Sequence, residues 1–298
     1  MTLRAVWAFL QLTRPVFLLG GGLLYGLGLA IAVSQGVALD PARAALGQLL
    51  VTSVQLTAQY ANEYCDLESD RLNARNRTSF SGGSGVLAAG RLAPRTALMA
   101  ARMCAFVALI LIASLAAVEP LAALVGALAL FGSWFYSAPP FALMSSGWGE
   151  ISASLIVSVL TPLTSYVLQA RRIDPVLLIV CAPLALIHWA MLIAFELPDF
   201  DADAAVGKRT QTVRLGRGKA ALLHNTLIAL AFALIAIITL NQEAARSALW
   251  AAPLAAWQFA GVAWRAWRGW SGLHLLTFGA VSLFALTALL WVIGFVIQ

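Results

Sequence analysis

Leu115-Ala116-Ala117-Val118-Glu119-Pro120-Leu121 is the seam on which the reading of the fold turns. Apolar residues run from about 96 to 118 and again from about 121 to 138, so only Val118, Glu119 and Pro120 stand between two stretches of bilayer-crossing length. Merged, they would form one helix from 96 to 138 with Pro120 at its middle. An interior proline removes a backbone donor and clashes with the preceding turn, so the seam is read as a turn between two helices. The apolar stretches then number nine, at roughly 15–35, 44–63, 96–118, 121–138, 149–170, 175–197, 219–240, 248–268 and 274–297.

Composition agrees with a chain solvated by lipid. Of the 298 residues 61% are apolar and only 11% charged, whereas a soluble domain carries about a quarter charged residues. The expected architecture is an all-α, polytopic membrane helical bundle of about nine transmembrane helices, forming a single domain over 1–298. No small-residue cleavage site follows the first apolar run, which is therefore read as a retained helix. Cys65, Cys104 and Cys181 have neither metal-type nor redox spacing. A net charge of +6 could suggest nucleic acid, but the basic residues lie in loops between apolar stretches, so the expected partner is the lipid bilayer and not nucleic acid.

The distribution of positive charge tests the count of nine. With the N-terminus in the cytoplasm, 15 of the 19 basic residues fall on the cytoplasmic side, among them Arg4, Arg14, Arg71, Arg75, Arg77, Lys208, Arg209, Arg265 and Arg268. Arg43, Arg171, Arg172 and Arg246 remain opposite, an asymmetry of the positive-inside kind. Trp7, Trp148, Trp250, Trp267 and Trp270 fall near the ends of the expected spans, where an interfacial belt belongs. Two long polar loops, about 64–95 and 198–218, then share the cytoplasmic face.

Those loops begin with the densest acidic windows in the chain. Eight of the 13 acidic residues are Glu63, Asp66, Glu68, Asp70 and Glu196, Asp199, Asp201, Asp203, and a shift of 133 residues carries the first four onto the second four. Arg77-Thr78 meets Arg209-Thr210 with a slip of one residue. The pattern reads as two pseudo-repeated four-helix halves plus one helix, with the site at their interface. Asn62, Asp66 and Asp70 are spaced i, i+4, i+8, which stacks them on one helical face, and Asp199 and Asp203 repeat that spacing. Like charges so stacked repel, and oxygen-only donors favour a hard cation such as Mg²⁺ with phosphate oxygens completing its shell. Helix ends entering water also carry solvated acids, but two clusters at equal spacing on one side argue against that alone.

Arginines and a lysine follow each cluster, and Ser81-Gly82-Gly83-Ser84-Gly85 follows the first. Such cations suit a diphosphate, and glycines let backbone N–H groups approach phosphate oxygens. Positive-inside bias and a flexible connector explain the same residues. Gly20, Gly21, Gly22, Gly26 and Gly28 read as a helix-packing face. His188, His224 and His274 lack a metal partner at useful spacing and are read as structural.

With these residues in place, the chain resembles the UbiA superfamily of intramembrane prenyltransferases. Asn62-Glu-Tyr-Cys-Asp66-Leu-Glu-Ser-Asp70 matches N-x-x-x-D-x-x-x-D, and Asp199-Phe-Asp-Ala-Asp203 matches D-x-x-x-D. Arg14-Pro15 and Tyr136-Ser-Ala-Pro139-Pro140 also look like the family. The segment from Asp203 through Lys208-Arg209 to Gly216 is similar to the 1,4-dihydroxy-2-naphthoate branch of menaquinone biosynthesis. Glu196 stands where that branch often has asparagine, Pro198 precedes the aspartate, and 141–149 lacks the basic residues often found there.

The resemblance implies Mg²⁺-dependent transfer of a polyprenyl group from a polyprenyl diphosphate to an aromatic acceptor, in quinone biosynthesis, within a prokaryotic inner membrane. Asp66, Asp70, Asp199 and Asp203, with Asn62, would hold the metal. Arg75, Arg77, Lys208, Arg209 and Tyr136 would bind substrate, and Trp134, Phe135, Tyr136 and Tyr64 are candidates to face an allylic cation. Other acceptors (4-hydroxybenzoate, a chlorin or haem, a lipid, a sugar phosphate) stay open. A CDP-alcohol phosphatidyltransferase would need D-G and A-R at fixed offsets, where Asp70 is followed by Arg71-Leu72. A cation-coupled transporter would favour charges at the bilayer midplane, whereas here they gather at span ends.

Overall fold

The computed structural model describes residues 3–264 and 270–297, with the side chains of Trp270 and Ser271 excepted. Arg265, Trp267 and Arg268, and the Trp270 side chain, therefore lie outside the described residues. Every regular element among the described residues is helical. The chain opens with α1 (Leu3–Leu12), a helix the sequence reading lacked, and α2 (Pro15–Ser34), which matches the first expected span. The two part at Arg14, whose φ of 47° is left-handed, and Pro15, whose missing N–H suits a helix's first turn. Next come α3 (Pro41–Cys65) and the short α4 (Leu67–Leu72). Asp40 caps α3 by accepting from the N–H groups of Ala42 and Arg43.

The seam at Val118–Pro120 is a turn. The N–H groups of Val118 and Glu119 both donate to Leu115 O, closing α5 (Pro94–Ala116), and Pro120 begins α6 (Pro120–Phe135). Then α7 (Gly149–Leu155), a π-helical turn at Ile156–Leu160 and α8 (Thr161–Ala170) form one rod. After it α9 (Pro175–Ala205) carries Pro183 and Pro198 inside, and α10 (Gln211–Ile238) is interrupted at Gly216, whose φ of 75° leaves the helix. A 3₁₀ segment (Glu243–Ala251), α11 (Ala252–Ala263) and α12 (Trp270–Ile297) complete the chain.

Among the described residues six helices are long and apolar enough to cross a membrane: Pro15–Ser34, Pro94–Ala116, Gly149–Ala170, Pro175–Ala205, Gln211–Ile238 and Gly272–Ile297. The other three expected spans differ for identifiable reasons. Long enough at 25 residues, α3 is diluted by Gln48, Gln55, Gln59 and Asn62. At 16 residues α6 is short, and the stretch 248–268 is split between the 3₁₀ segment and α11.

One apolar core runs through most of the bundle, with large side chains such as Leu27, Tyr166, Ile187 and Trp291 fully buried. A second, smaller core of Ala8, Leu12, Tyr60, Ala61, Val86, Leu87, Ala97 and Ala101 fastens α1 and the loop after α4 onto α3 and α5. The expected glycine face narrows to Gly21 and Gly28. A Cβ on Gly28 would lie 2.0 Å from Pro162 O, so α2 and α8 touch there, while Gly20, Gly22 and Gly26 have no such neighbour within 4 Å. The four arginines assigned to the far side all pair with acids. Arg43 and Arg171 reach Glu119 at 2.9 and 2.7 Å, Arg172 reaches Asp174 at 3.8 Å, and Arg246 reaches Glu243 at 3.1 Å.

Candidate functional site

The two acidic clusters meet. Asn62, Asp66 and Asp70 come from the end of α3 and from α4, and Asp199 and Asp203 from the last turns of α9. All five line one cavity of about 240 Å³. The first cluster follows a helical path with one irregularity. Asp66 N–H donates to Asn62 O and Asp70 N–H to Asp66 O, but Asp66 itself (φ −92°, ψ 3°) falls between two helices. The second cluster lies on uninterrupted helix, although Pro198 cannot donate to the preceding turn.

The loop after each cluster reaches across to a carboxylate of the other cluster. After the second, Lys208 Nζ bridges Asp66 Oδ1 at 2.8 Å and Asp203 Oδ1 at 3.3 Å. After the first, the Asn73 amide donates to Asp199 Oδ1, and Gly82 N–H donates to its Oδ2 at 3.3 Å. Asn62 Nδ2 donates to Asp66 Oδ2 at 2.6 Å and also to Ser137 Oγ, so it positions that carboxylate. Gly83, at φ 63°, lies so close to Asp70 that a Cβ would stand 2.1 Å from Oδ2.

Burial comes first, then the charges of Asp66, Glu63 and Asp199, in pushing Asp70 up from the usual 3.8 to about 8. Burial works against the Lys208 ammonium, but Asp66 and Asp203 outweigh it and raise its pKa. Arg14 is the second cation at the cavity. Burial lowers its pKa against the pull of Glu63, Asp70 and Asp199, and its Nη2 donates to Phe80 O at 2.8 Å.

The donor set suits a hard divalent cation. Four aspartates face two cationic side chains, and Asp203 Oδ2 is enclosed without a hydrogen-bond partner. Among the described residues no three acidic, histidine or cysteine side chains close on a common centre. The carboxylates therefore flank a space open to further oxygen ligands, as Mg²⁺ uses when it keeps substrate phosphates in its shell.

Of the expected substrate-binding residues, Lys208 and Tyr136 line the cavity. Arg75, Arg77 and Arg209 are exposed and outside its lining. Arg77 instead donates to Ser84 O at 3.0 Å, and Arg209 N–H to Ser145 O at 2.9 Å. Tyr64, Trp134 and Phe135 also lie outside the lining, the last packed with Phe131 and Phe141. The aromatic wall is built instead from Phe17, Phe80 and Phe195. Phe80 stacks on Phe195 at 6.1 Å, and Phe17 stands edge-on to both. These three come from α2, the loop after α4 and α9, so no spacing rule joins them. Arg14, Asn73 and Glu196 are further lining residues that the expected set omitted. His188, read as structural, also lines the cavity.

The UbiA prenyltransferase family model matches residues 23–274. A 1,4-dihydroxy-2-naphthoate octaprenyltransferase of Mycobacterium tuberculosis is 29% identical over 221 residues, covering 72% of each chain. Among solved structures, a digeranylgeranylglyceryl phosphate synthase superposes with a TM-score of 0.64 at 15% identity, over 99% of both chains. A UbiA homolog from Archaeoglobus fulgidus bound to GPP and Mg²⁺ gives 0.61 at 16% identity, over 98% of this chain and 100% of that one. These structures share the fold. The family match covers well over half the residues and, together with the apolar helices, makes the chain an integral membrane prenyltransferase that belongs to the UbiA family.

Proposed function

We propose that the protein transfers a polyprenyl group from an allylic polyprenyl diphosphate to an aromatic acceptor, in a menaquinone-type pathway. The observation that carries this reading is the single cavity in which Lys208 joins the two acidic clusters. Asp66, Asp70, Asp199 and Asp203, with Asn62 orienting Asp66, would hold Mg²⁺. When bound, the ion supplies charge stabilisation to the departing diphosphate. Lys208 and Arg14 add positive charge at the same place, and Arg75, Arg77 and Arg209 extend it around the rim. Phe17, Phe80, Phe195 and Tyr136 give the allylic carbon a dry wall of electron-rich faces. A smaller apolar chamber of about 90 Å³, lined by Gly21, Leu50, Val54, Gly126 and Ala129, shares Ile156 and Val157 with the main cavity and offers room for isoprenoid carbons.

The naphthoate acceptor is supported by the relatives' names and by the Asp203–Gly216 segment. The same reading places nine crossings in a prokaryotic cell membrane, as two four-helix halves and one helix, with the N-terminus and acidic loops in the cytoplasm. The test is transfer of radiolabelled geranylgeranyl or farnesyl diphosphate to a panel holding 1,4-dihydroxy-2-naphthoate and 4-hydroxybenzoate, with and without Mg²⁺. Asp66→Asn and Asp199→Asn are each expected to lower turnover on the order of 10²-fold or more. Variants indistinguishable from wild type would sink the assignment of the metal site, and a preference for another panel member would replace the naphthoate.

A further inference from the structure

Three residues before Asp199, and on the same helix, Glu196 is only 5% exposed and lines the cavity. Behind it Glu150, from the first turn of α7, is 1% exposed. Each carboxyl is fixed by one backbone donor. Gln211 N–H reaches Glu150 Oε1 at 2.6 Å, and Thr212 N–H reaches Glu196 Oε2 at 3.1 Å. The two carboxyls lie within hydrogen-bonding reach of each other. Glu150 Oε2 is enclosed and has no donor from any other protein group. Two carboxyl groups attract only when a proton lies between them, and among the described residues no basic side chain forms an ion pair with either, Lys208 being given to Asp66 and Asp203. Isolated buried carboxylates are costly, so a pair kept at the cavity wall calls for a reason beyond packing.

The neighbouring polar groups narrow what that wall can bind. Ser154 Oγ donates to Glu150 O at 2.6 Å and meets His188 Nδ1 at 3.1 Å. The serine's one proton being spent on the carbonyl, Nδ1 must carry the proton of that second bond, which leaves Nε2 an acceptor. His188 and Glu196 both line the cavity. Together they present acceptors to it and suit a group that brings a proton rather than an anion.

We propose that Glu196, backed by Glu150, is the proton acceptor of the transfer, and that the acceptor substrate presents a hydroxyl or the reacting ring carbon to it. The inference rests on the prenyl-transfer reading. In the step, the allylic C1–O bond breaks and its electron pair leaves on the diphosphate. The acceptor's nucleophilic atom bonds C1, and the proton shed by its ring carbon or hydroxyl passes to the ionised carboxyl of the pair; where the attacked carbon bears a carboxylate, the hydroxyl proton so held is returned to the ring system as CO₂ departs. The second carboxyl spreads the negative charge of the pair before transfer, and otherwise the captured proton leaves to water once product has departed.

Glu196→Gln is the informative variant. Its amide can donate to Glu150 and still accept from Thr212 N–H, so the packing role survives while proton acceptance is lost. Full-length protein in lipid nanodiscs is given geranylgeranyl diphosphate, Mg²⁺ and the panel acceptor the wild type uses. Prenylated product and the free prenol formed by water capture are both counted. Glu196→Gln is expected to lose product on the order of 10²-fold while diphosphate consumption continues to prenol. Glu196→Asp should recover part of the transfer, and Glu150→Gln should show a smaller loss, about tenfold, as expected for a positioning group.

Infrared spectra of the same samples should show a protonated-carboxyl band, shifted in D₂O, that disappears in both Gln variants. Wild-type transfer by Glu196→Gln overturns the proposal, and so does equal loss of product and of diphosphate consumption, which marks a structural role. A wild type that forms prenol but prenylates none of the panel overturns the aromatic-acceptor reading instead. The infrared band then decides the carboxyl pair alone, and its absence overturns the shared proton.

Discussion

The windows 63–70 and 196–203 carry acids at the same four relative positions and put them to different use. Their middle members agree, since Glu68 and Asp201 both turn outward, Asp201 pairing with Arg217 at 2.9 Å. Their first members do not. Glu63 accepts from Ser84 N–H and Ser84 Oγ, at 2.5 and 2.7 Å, which ties the glycine loop to α3. Glu196 accepts one N–H and otherwise faces another carboxyl. The first window spends its extra acid on architecture, and the second holds one in reserve at the cavity wall. The two windows can therefore both line one cavity with Asp66, Asp70, Asp199 and Asp203 while diverging one turn away.

Lys208→Met gives the largest expected effect that tests whether the windows form one site. It keeps the apolar stem and removes the charge that bridges them, so the metal-free protein should lose about 3–5 kcal/mol. Thermal melts in EDTA should record that loss, and Mg²⁺ with diphosphate should restore part of it. An unchanged melting temperature in EDTA would break the picture of a shared site.

A second test exploits Asp70. Its folded value of about 8 lies above the ordinary 3.8, so between those values the metal-free fold holds a proton that the unfolded chain has released. This group's contribution to stability is thus fully present below 3.8 and lost as pH rises to about 8. Binding a cation there must expel the proton, so Mg²⁺ affinity should rise by up to about tenfold per pH unit below 8 and then level off. Calorimetry in buffers of different ionisation heat checks the proton count, and a pH-independent affinity would remove Asp70 from the ligand set.

The smallest effects separate the two loops. Gly83→Ala adds left-handed strain of about 1–2 kcal/mol and displaces Asp70 as well, so it should weaken Mg²⁺ binding. Gly207→Ala, at φ 77° with nothing within 4 Å, should show only the strain. Titrations of Mg²⁺ against the two variants compare them directly.

Much of the site was legible because its acids repeat at helical spacing and fall at the ends of apolar stretches. Asn62, Asp66, Asp70, Asp199 and Asp203 follow from that alone. The partners of those acids were not legible. Asn73 and Gly82 reach Asp199, and Lys208 reaches Asp66, over separations no periodicity records. The wall of Phe17, Phe80 and Phe195 likewise arises only when three distant segments meet. In the fold, the turn at Pro120 followed from proline chemistry, whereas α1 was left unassigned because its 10 residues fall short of bilayer-crossing length. Polarity misleads in the opposite sense at α3, whose Gln55, Gln59 and Asn62 line the cavity rather than meeting lipid.

If the site binds as proposed, the lysine between Asp66 and Asp203 would also make it cooperative. Holding those oxygens, its ammonium competes with any incoming cation for them. Displaced, it becomes free to greet a phosphate anion, so each ligand lowers the cost of admitting the other. Linkage requires the coupling to be reciprocal, the same factor by which the cation favours the anion being returned by the anion to the cation.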